Sequence, residues 1–237
     1  MKIALIGYGK MGKAIEEIAL QKGHSICLAI NSKNPKDLTK EKLSKADVAI
    51  EFTTPEHAFD NILLCFKANV PVVCGTTGWN NDLKLVEEHC IKQEGALLYA
   101  SNFSVGVNIF FETNKRLAEL MSKQNYNITI EETHHTQKKD APSGTAITIA
   151  EQIIKEIPDI KHWVNKRSDK KEELSILSTR VDPAPGTHAV KYSSVIDDIE
   201  IVHTAHNRKG FAAGAVLAAE YLKDKKGIFS MKDVVGM

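Results

Sequence analysis

The sequence predicts an α/β protein: a doubly wound parallel sheet, then a smaller α+β unit whose sheet is mixed or antiparallel. Three observations lead there. Five short apolar runs in roughly the first hundred residues alternate with segments of helical period, the pattern of parallel strands joined by crossover helices. The first run opens into a glycine-spaced turn, IGYGKMG. Past Phe103 the order changes to a long helix, a strand, a helix and then three strand-like segments in succession.

Lys2 to Ile6 reads as a buried strand. The helix after it places Met11, Ala14, Ile15, Ile18 and Ala19 on one face, with Gly23 at its C-terminal stop. Ile26 to Ile30, Asp47 to Phe52, Val72 to Cys74 and Ala96 to Ala100 supply four more strands. Thr54 is suited to cap a helix that has Pro55 at its first position, and a polar helix runs from about Asn81 to Lys92. A parallel sheet of this kind is covered by helices on both faces and binds ligands beyond the carboxyl ends of its strands. The small and polar residues collect there: Gly7 to Gly12, Asn31, Thr53, Gly75 to Thr77 and Asn102.

In the second part, a helix is expected from about Val107 to Ser122 and a half-buried strand around Tyr126, Ile128 and Ile130. An amphipathic helix follows through Ala146, Ile149, Ala150, Ile153 and Ile154, closed by Pro158. Lys161 to Glu173 reads as a charged mobile loop. The three closing strands are Leu174 to Val181, His188 to Ser193 and Ile199 to Thr204. A last helix, about Phe211 to Leu222, is apolar enough to return to the first domain. The expected division is 1–104 with about 208–237, and 105–207.

The balance of 31 Lys and Arg against 30 Asp and Glu gives no electrostatic footprint for nucleic acid or an acidic membrane. No apolar run approaches the roughly 20 residues that span a bilayer, and the N-terminus is too glycine-rich for a signal peptide. A cytoplasmic protein is expected. Cys27, Cys65, Cys74 and Cys90 have no CxxC spacing and lie in apolar segments, so they read as buried thiols rather than zinc ligands or a disulfide framework.

Gly7, Gly9 and Gly12 stand in G-x-G-x-x-G spacing between a strand and a helix, the context in which that motif binds a dinucleotide pyrophosphate. The turn as a whole, Gly7, Tyr8, Gly9, Lys10, Met11 and Gly12, is the candidate cradle. After the second strand come Asn31, Ser32 and Lys33 where an acidic residue would select NADH. No carboxylate opposes a 2′-phosphate and Lys33 or Lys10 is placed to neutralise one, so NADPH is tolerated and NADH is not excluded. Cys74 before Gly75, Thr76 and Thr77 raises a second enzyme class, an acyl-forming semialdehyde dehydrogenase with a cysteine nucleophile. Its place at the end of a buried strand argues against that, and the threonines fit contacts to the nicotinamide end better.

The stretch EETHHTQKKDAPSGTA, Glu131 to Ala146, combines chemistries. Ser143 is a good N-cap, and Gly144 and Thr145 then offer first-turn N–H groups to a carboxylate or phosphate. Lys138 and Lys139 add positive charge, and the histidines bring a group that titrates near neutrality. No metal is expected, because adjacent histidines on extended backbone point to opposite sides and no HExxH or Cys/His spacing accompanies them. A nucleotide-sensing regulator is the non-enzymatic alternative, but the sequence lacks a basic face for DNA.

Read with its neighbours, the stretch closely resembles the signature of bacterial dihydrodipicolinate reductases, E-x-H-H-x-x-K-x-D-A-P-S-G-T-A. GYGKMG, CGTTG (Cys74 to Gly78), ASNFSVGVN (Ala100 to Asn108) and HTAHNRKGFAAGAVLAAEYL (His203 to Leu222) match in order along the whole chain. The resemblance implies a reductase of lysine and diaminopimelate biosynthesis with a Rossmann N-terminal domain and a tetramer-forming C-terminal domain. It makes His134 the acid/base residue and Lys138 the proton donor. His135 would contact a cyclic dicarboxylate, gripped also by Ser143, Gly144 and Thr145. Gly7 to Gly12, Gly75 to Thr77 and Ala100, Ser101, Asn102 and Phe103 would bind the cofactor. The chain departs from the family's Arg-x-Gly-x-x-x-Gly-Glu-His: Arg180 is kept, Asp182 replaces the first glycine, and Gly186-Thr187-His188 lacks the glutamate.

Overall fold

The computed structural model describes every residue except Arg208. Met1–Val105 with Lys209–Met237 form one unit and Gly106–Arg208 a second. Arg208, part of the His203 to Leu222 motif, lies outside the described residues.

The first unit begins β1 (Lys2–Ile6), α1 (Lys10–Gln21), β2 (Ser25–Ile30), a single 3₁₀ turn and α2 (Lys40–Leu43). It continues β3 (Val48–Glu51), α3 (Pro55–Lys67), β4 (Val72–Cys74), α4 (Asn80–Lys92) and β5 (Ala96–Tyr99). The predicted strands are all present. Thr54 is the N-cap residue of α3 with Pro55 in the first turn, as expected, although the Thr54 hydroxyl makes no capping bond.

The second unit holds α5, which starts at the division (Val105–Met121), β6 (Asn127–His134), α6 (Gly144–Glu156), β7 (His162–Val164), β8 (Glu173–Arg180), β9 (Gly186–Ser193) and β10 (Asp198–Ala205). Its five-stranded sheet runs β10-β9-β6-β8-β7. The β7–β8 and β8–β6 pairs are parallel and the β6–β9 and β9–β10 pairs antiparallel, so the sheet is mixed. Ile130, Ile176, Val190 and Tyr192 face the core built with α5 and α6.

Two expectations for this unit are corrected. The stretch from Lys161 to Glu173 is not all loop: β7 pairs with β8, and the Ser168 N–H donates to Ser175 Oγ at 3.0 Å. Three residues between lysines carry too little pattern to read as an edge strand. The first strand also runs further than expected, through His134, whose carbonyl accepts from the Val181 N–H at 2.8 Å.

The chain then returns to the first unit as α7 (Lys209–Leu222), β11 (Gly227–Phe229) and α8 (Met231–Val235). β11 pairs with β5 and completes a six-stranded, all-parallel sheet in the order β11-β5-β4-β3-β1-β2. Successive side chains of a strand face opposite ways. Ile3 and Leu5 of β1 therefore pack with α1 and α7, while Ala4 and Ile6 pack with α3. α7 buries Ala212, Ala215, Val216, Ala219 and Leu222, which explains its small and apolar sequence. β11 and α8 were not anticipated; the Ser230 N–H and hydroxyl both donate to Asp233 and start α8. Among the described residues no helix is long and apolar enough to cross a membrane.

Candidate active site

The glycine turn joins β1 to α1 at the carboxyl edge of the parallel sheet. Gly7 has φ +102°, and a Cβ there would lie 1.9 Å from the Phe52 carbonyl oxygen, so only glycine fits. A Cβ on Gly12 would lie 2.5 Å from the Gly7 carbonyl oxygen. Gly9 is different: a Cβ there meets nothing within 4 Å. It is the N-cap of α1, with no side-chain cap and no acidic residue in the first turn. Open space beside unopposed first-turn N–H groups fits a pyrophosphate.

A cleft of about 620 Å³ extends from this turn, lined by Gly7, Tyr8, Gly9, Asn31 and Ser32 on one side and Thr53, Thr54, His57 and Asn61 on the other. The residues present thus fit a dinucleotide. Asn31 Oδ1 accepts from the Lys33 N–H at 2.8 Å and shapes the loop after β2, where no carboxylate stands. Lys33 is exposed. Thr53, His57 and Asn61 are lining residues that the sequence reading did not assign to the cofactor. Their signal was the spacing of four on α3 that brings His57 and Asn61 to one face.

Lys10, Met11, Gly12, Lys33, Gly75 to Thr77 and Ala100 to Phe103 do not line this cleft. Thr76 is buried, and its hydroxyl accepts from the Thr53 N–H at 2.8 Å, holding the cleft wall. The Phe103 ring is 2% exposed and packs in the core beneath α7. Thr77 and Ser101 are exposed.

Cys74 is fully buried. Burial first, then the charge of Glu51, pushes its thiol far above the ordinary range. Its Sγ lies 3.2 Å from the Glu51 carboxylate. A thiolate nucleophile has no place there, and the semialdehyde dehydrogenase alternative loses its chemistry.

The histidine-lysine stretch lies in the second unit. Glu132 and His134 are two apart on β6 and share its core-facing side. Register sets His188 of β9 opposite Glu132, and Arg180 of β8 opposite His134. Glu132 is 1% exposed. Its Oε1 accepts from Arg180 Nη2 at 3.1 Å and from the Ser143 N–H at 3.0 Å, while its Oε2 lies 3.2 Å from His134 Nδ1. Burial alone would raise this carboxyl. The polar groups of His134, Ser143, Ser178 and Arg180 around it outweigh burial and hold Glu132 well below the usual carboxylate range.

Arg180 also gathers the loop beyond His134, donating from Nε to the Lys138 carbonyl at 3.3 Å and from Nη2 to the Asp140 carbonyl at 2.5 Å. Asp182, the departure from the family's glycine, has work here: its carboxylate accepts from the Thr136 N–H at 3.2 Å and from the Thr136 hydroxyl. Lys138 Nζ pairs with Asp140 at 2.9 Å. The Ala141–Pro142 peptide is cis.

Ser143 caps α6 as expected, its hydroxyl accepting from the Ala146 N–H at 3.2 Å. It is 2% exposed, and the same oxygen lies 3.1 Å from His188 Nε2. The Ser143 hydroxyl is thus engaged by the α6 cap and by His188. Gly144 and Thr145 follow the cap, and their first-turn N–H groups have no intrahelical acceptor. His135 is half-buried and Lys139 exposed. The His134 and His188 rings meet edge to face at 5.0 Å. Burial, and then the charge of His134, push His188 down to about 4, so it is neutral at physiological pH.

Glu132, His134 and His188 bring three donor atoms within 4.8 Å of one another, a spacing able to take a cation. The Arg180 guanidinium on the same carboxylate would repel one. Glu132, Arg180 and His188 stand in the sequence motifs without an expected task. The usable signal was the two-residue spacing of Glu132 and His134 on one strand.

Each unit of the chain is matched by a family model. The model "Dihydrodipicolinate reductase, N-terminus" matches residues 1–103 and "Dihydrodipicolinate reductase, C-terminus" matches residues 106–235. A 4-hydroxy-tetrahydrodipicolinate reductase of Christiangramia forsetii is 51% identical over 99% of this chain and 98% of its own length. One of Methanosarcina acetivorans is 37% identical over 99% of this chain and 89% of its own. Among solved structures, a dipicolinate-bound dihydrodipicolinate reductase from Paenisporosarcina sp. TG-14 superposes with a TM-score of 0.80 over 97% of each chain, at 23% identity. The chain belongs to the dihydrodipicolinate reductase family.

Proposed function

We infer that the chain reduces 4-hydroxy-tetrahydrodipicolinate to tetrahydrodipicolinate with a nicotinamide cofactor, a step of lysine and diaminopimelate biosynthesis. The observation that carries this reading is the Glu132 carboxylate, which joins the buried His134 to the start of α6 through the Ser143 N–H. An acid/base group and a carboxylate receptor are thereby built on one rigid anchor. The relatives named above share the chemistry that such a site serves.

The first unit binds the cofactor along the cleft from Gly9 to Ser32. Bound there, the nicotinamide supplies a hydride to a ring carbon. His134 and Lys138 supply the proton that the electron-rich ring then needs. Gly144 and Thr145 hold one ring carboxylate at the N-terminus of α6, with His135 as a further contact. With Asn31 rather than an acid after β2 and Lys33 exposed beside it, NADPH and NADH are both accepted.

The protein acts in the cytoplasm as a homotetramer assembled through the sheet of the second unit. Support for assembly comes from β10 at the sheet edge, where Ile199 and Val202 are exposed together with Val195 and Ile196 of the preceding turn.

The test is oxidation of NADH and of NADPH while substrate is generated in situ from pyruvate and aspartate semialdehyde by the preceding synthase. Consumption of either cofactor is expected. Folded protein that oxidises neither would overturn the reading.

A further inference from the structure

His134 has two ring nitrogens in opposite surroundings. Nδ1 is buried and lies at ion-pair distance, 3.2 Å, from Glu132 Oε2; the two atoms are not aligned as a hydrogen bond, and neither has a hydrogen-bond partner among the described residues. Nε2 faces Gly186, where an added Cβ would lie 3.2 Å from it. Glycine at that position, with φ +153°, leaves the Nε2 edge uncovered. Glu132 itself cannot swing away, because Arg180 and the Ser143 N–H hold its other oxygen and it is fully enclosed.

We propose that Glu132 is the positioning residue of the reaction: it keeps a proton on His134 Nδ1 throughout, so that every proton exchanged with substrate passes through Nε2. An imidazole that delivers a proton must return to one defined tautomer, and a buried carboxylate on the far nitrogen enforces it. When His134 is charged both nitrogens carry protons. When it has delivered one, the remaining proton stays on Nδ1 beside the carboxylate, and Nε2 is ready to be reprotonated. The same carboxylate fixes the Ser143 N–H, so the proton donor and the carboxylate receptor are set by one group. Gly186 serves the same end by leaving Nε2 clear. This inference rests on the proton role of His134 proposed above.

Glu132→Gln tests it. The amide oxygen still accepts from Arg180 and Ser143, while the amide N–H₂ turned toward His134 requires Nδ1 to accept and drives the proton to Nε2. Turnover is expected to fall at least about 10²-fold with little change in substrate KM. The ¹⁵N shifts of His134 in ¹⁵N-histidine-labelled protein should switch from the Nδ1-protonated to the Nε2-protonated tautomer. Glu132→Asp, which keeps the charge, should retain the wild-type tautomer and recover part of the turnover. Unchanged turnover and tautomer in Glu132→Gln would overturn the proposal. So would an Nε2-protonated neutral His134 in the wild type, a measurement that needs no variant. If His134→Gln itself retained full turnover, the proton role of His134 would fall instead, and the ¹⁵N result for Glu132 would still be decided separately.

Discussion

The cofactor cleft and the histidine cluster are built from different material. The cleft depends on backbone: Gly7 and Gly12 permit close approach, Gly9 leaves room, and the first-turn N–H groups of α1 stand without a side-chain cap. The cluster depends on side chains from three strands and one helix start that meet at the Glu132 carboxylate. A backbone site fails mainly through sterics and conformation. A side-chain network fails through lost charge, lost orientation or a changed protonation state. Substitutions in the two regions should therefore have different signatures.

The largest expected effect is at the cluster. His134→Gln and Lys138→Ala should lower kcat by about 10²- to 10⁴-fold and leave cofactor affinity unchanged, as read by steady-state kinetics and cofactor titration. Parallel losses in both quantities would erase the contrast between the regions.

The cleft should respond in stability and cofactor affinity. Gly7→Ala places a Cβ against the Phe52 carbonyl oxygen at a φ of +102° and should destabilise by at least about 2 kcal/mol. Gly9→Ala meets no atom of the protein within 4 Å, so its thermal stability should match the wild type while cofactor affinity falls. Equal melting temperatures for the two variants would show that the close approach at Gly7 is not decisive.

A pH-dependent term distinguishes the cluster further. His188 is held near 4 in the folded protein, below its unfolded value of about 6.5, so between these values the folded state binds fewer protons than the unfolded state. Its contribution is whole above pH ~6.5, and roughly 3 kcal/mol is lost as pH drops to about 4. Glu132, held low, adds stability above its unfolded value of about 4.3 that is lost at more acid pH. Melting temperature against pH should show this fall, and His188→Asn should flatten the upper part of it. An identical slope in the variant would count against the buried neutral histidine.

The smallest effect is expected at the rim of the cleft. Lys33→Ala removes one exposed charge worth up to about 1 kcal/mol, or about fivefold, so KM for NADPH should rise by no more than that and KM for NADH should stay constant. A rise in both would move Lys33 from 2′-phosphate contact to loop structure.

Local signals made much of this legible in advance. The alternation of Ile3, Leu5 and the strands after it, the glycine spacing, the Ser143 cap and the apolar face of α7 are all patterns within a few residues. β7 and β11 escaped because three residues carry no period, and each exists only through its neighbour in the sheet. The burial of the Phe103 ring beneath α7 is likewise a matter of packing that its local motif does not show.

The sequence by itself determined the class of fold, the glycine-spaced turn between β1 and α1 and the histidine-lysine stretch before the Ser143 cap, because each is encoded by neighbours along the chain. The tertiary structure decided that Glu132, Arg180, His188 and Ser143 are one unit. Strand register alone sets Glu132 opposite His188 and His134 opposite Arg180, across 56 and 46 residues of chain respectively. That register follows from burying Ile130, Ile176, Val190 and Tyr192 on one face, and no local pattern around the histidines contains it.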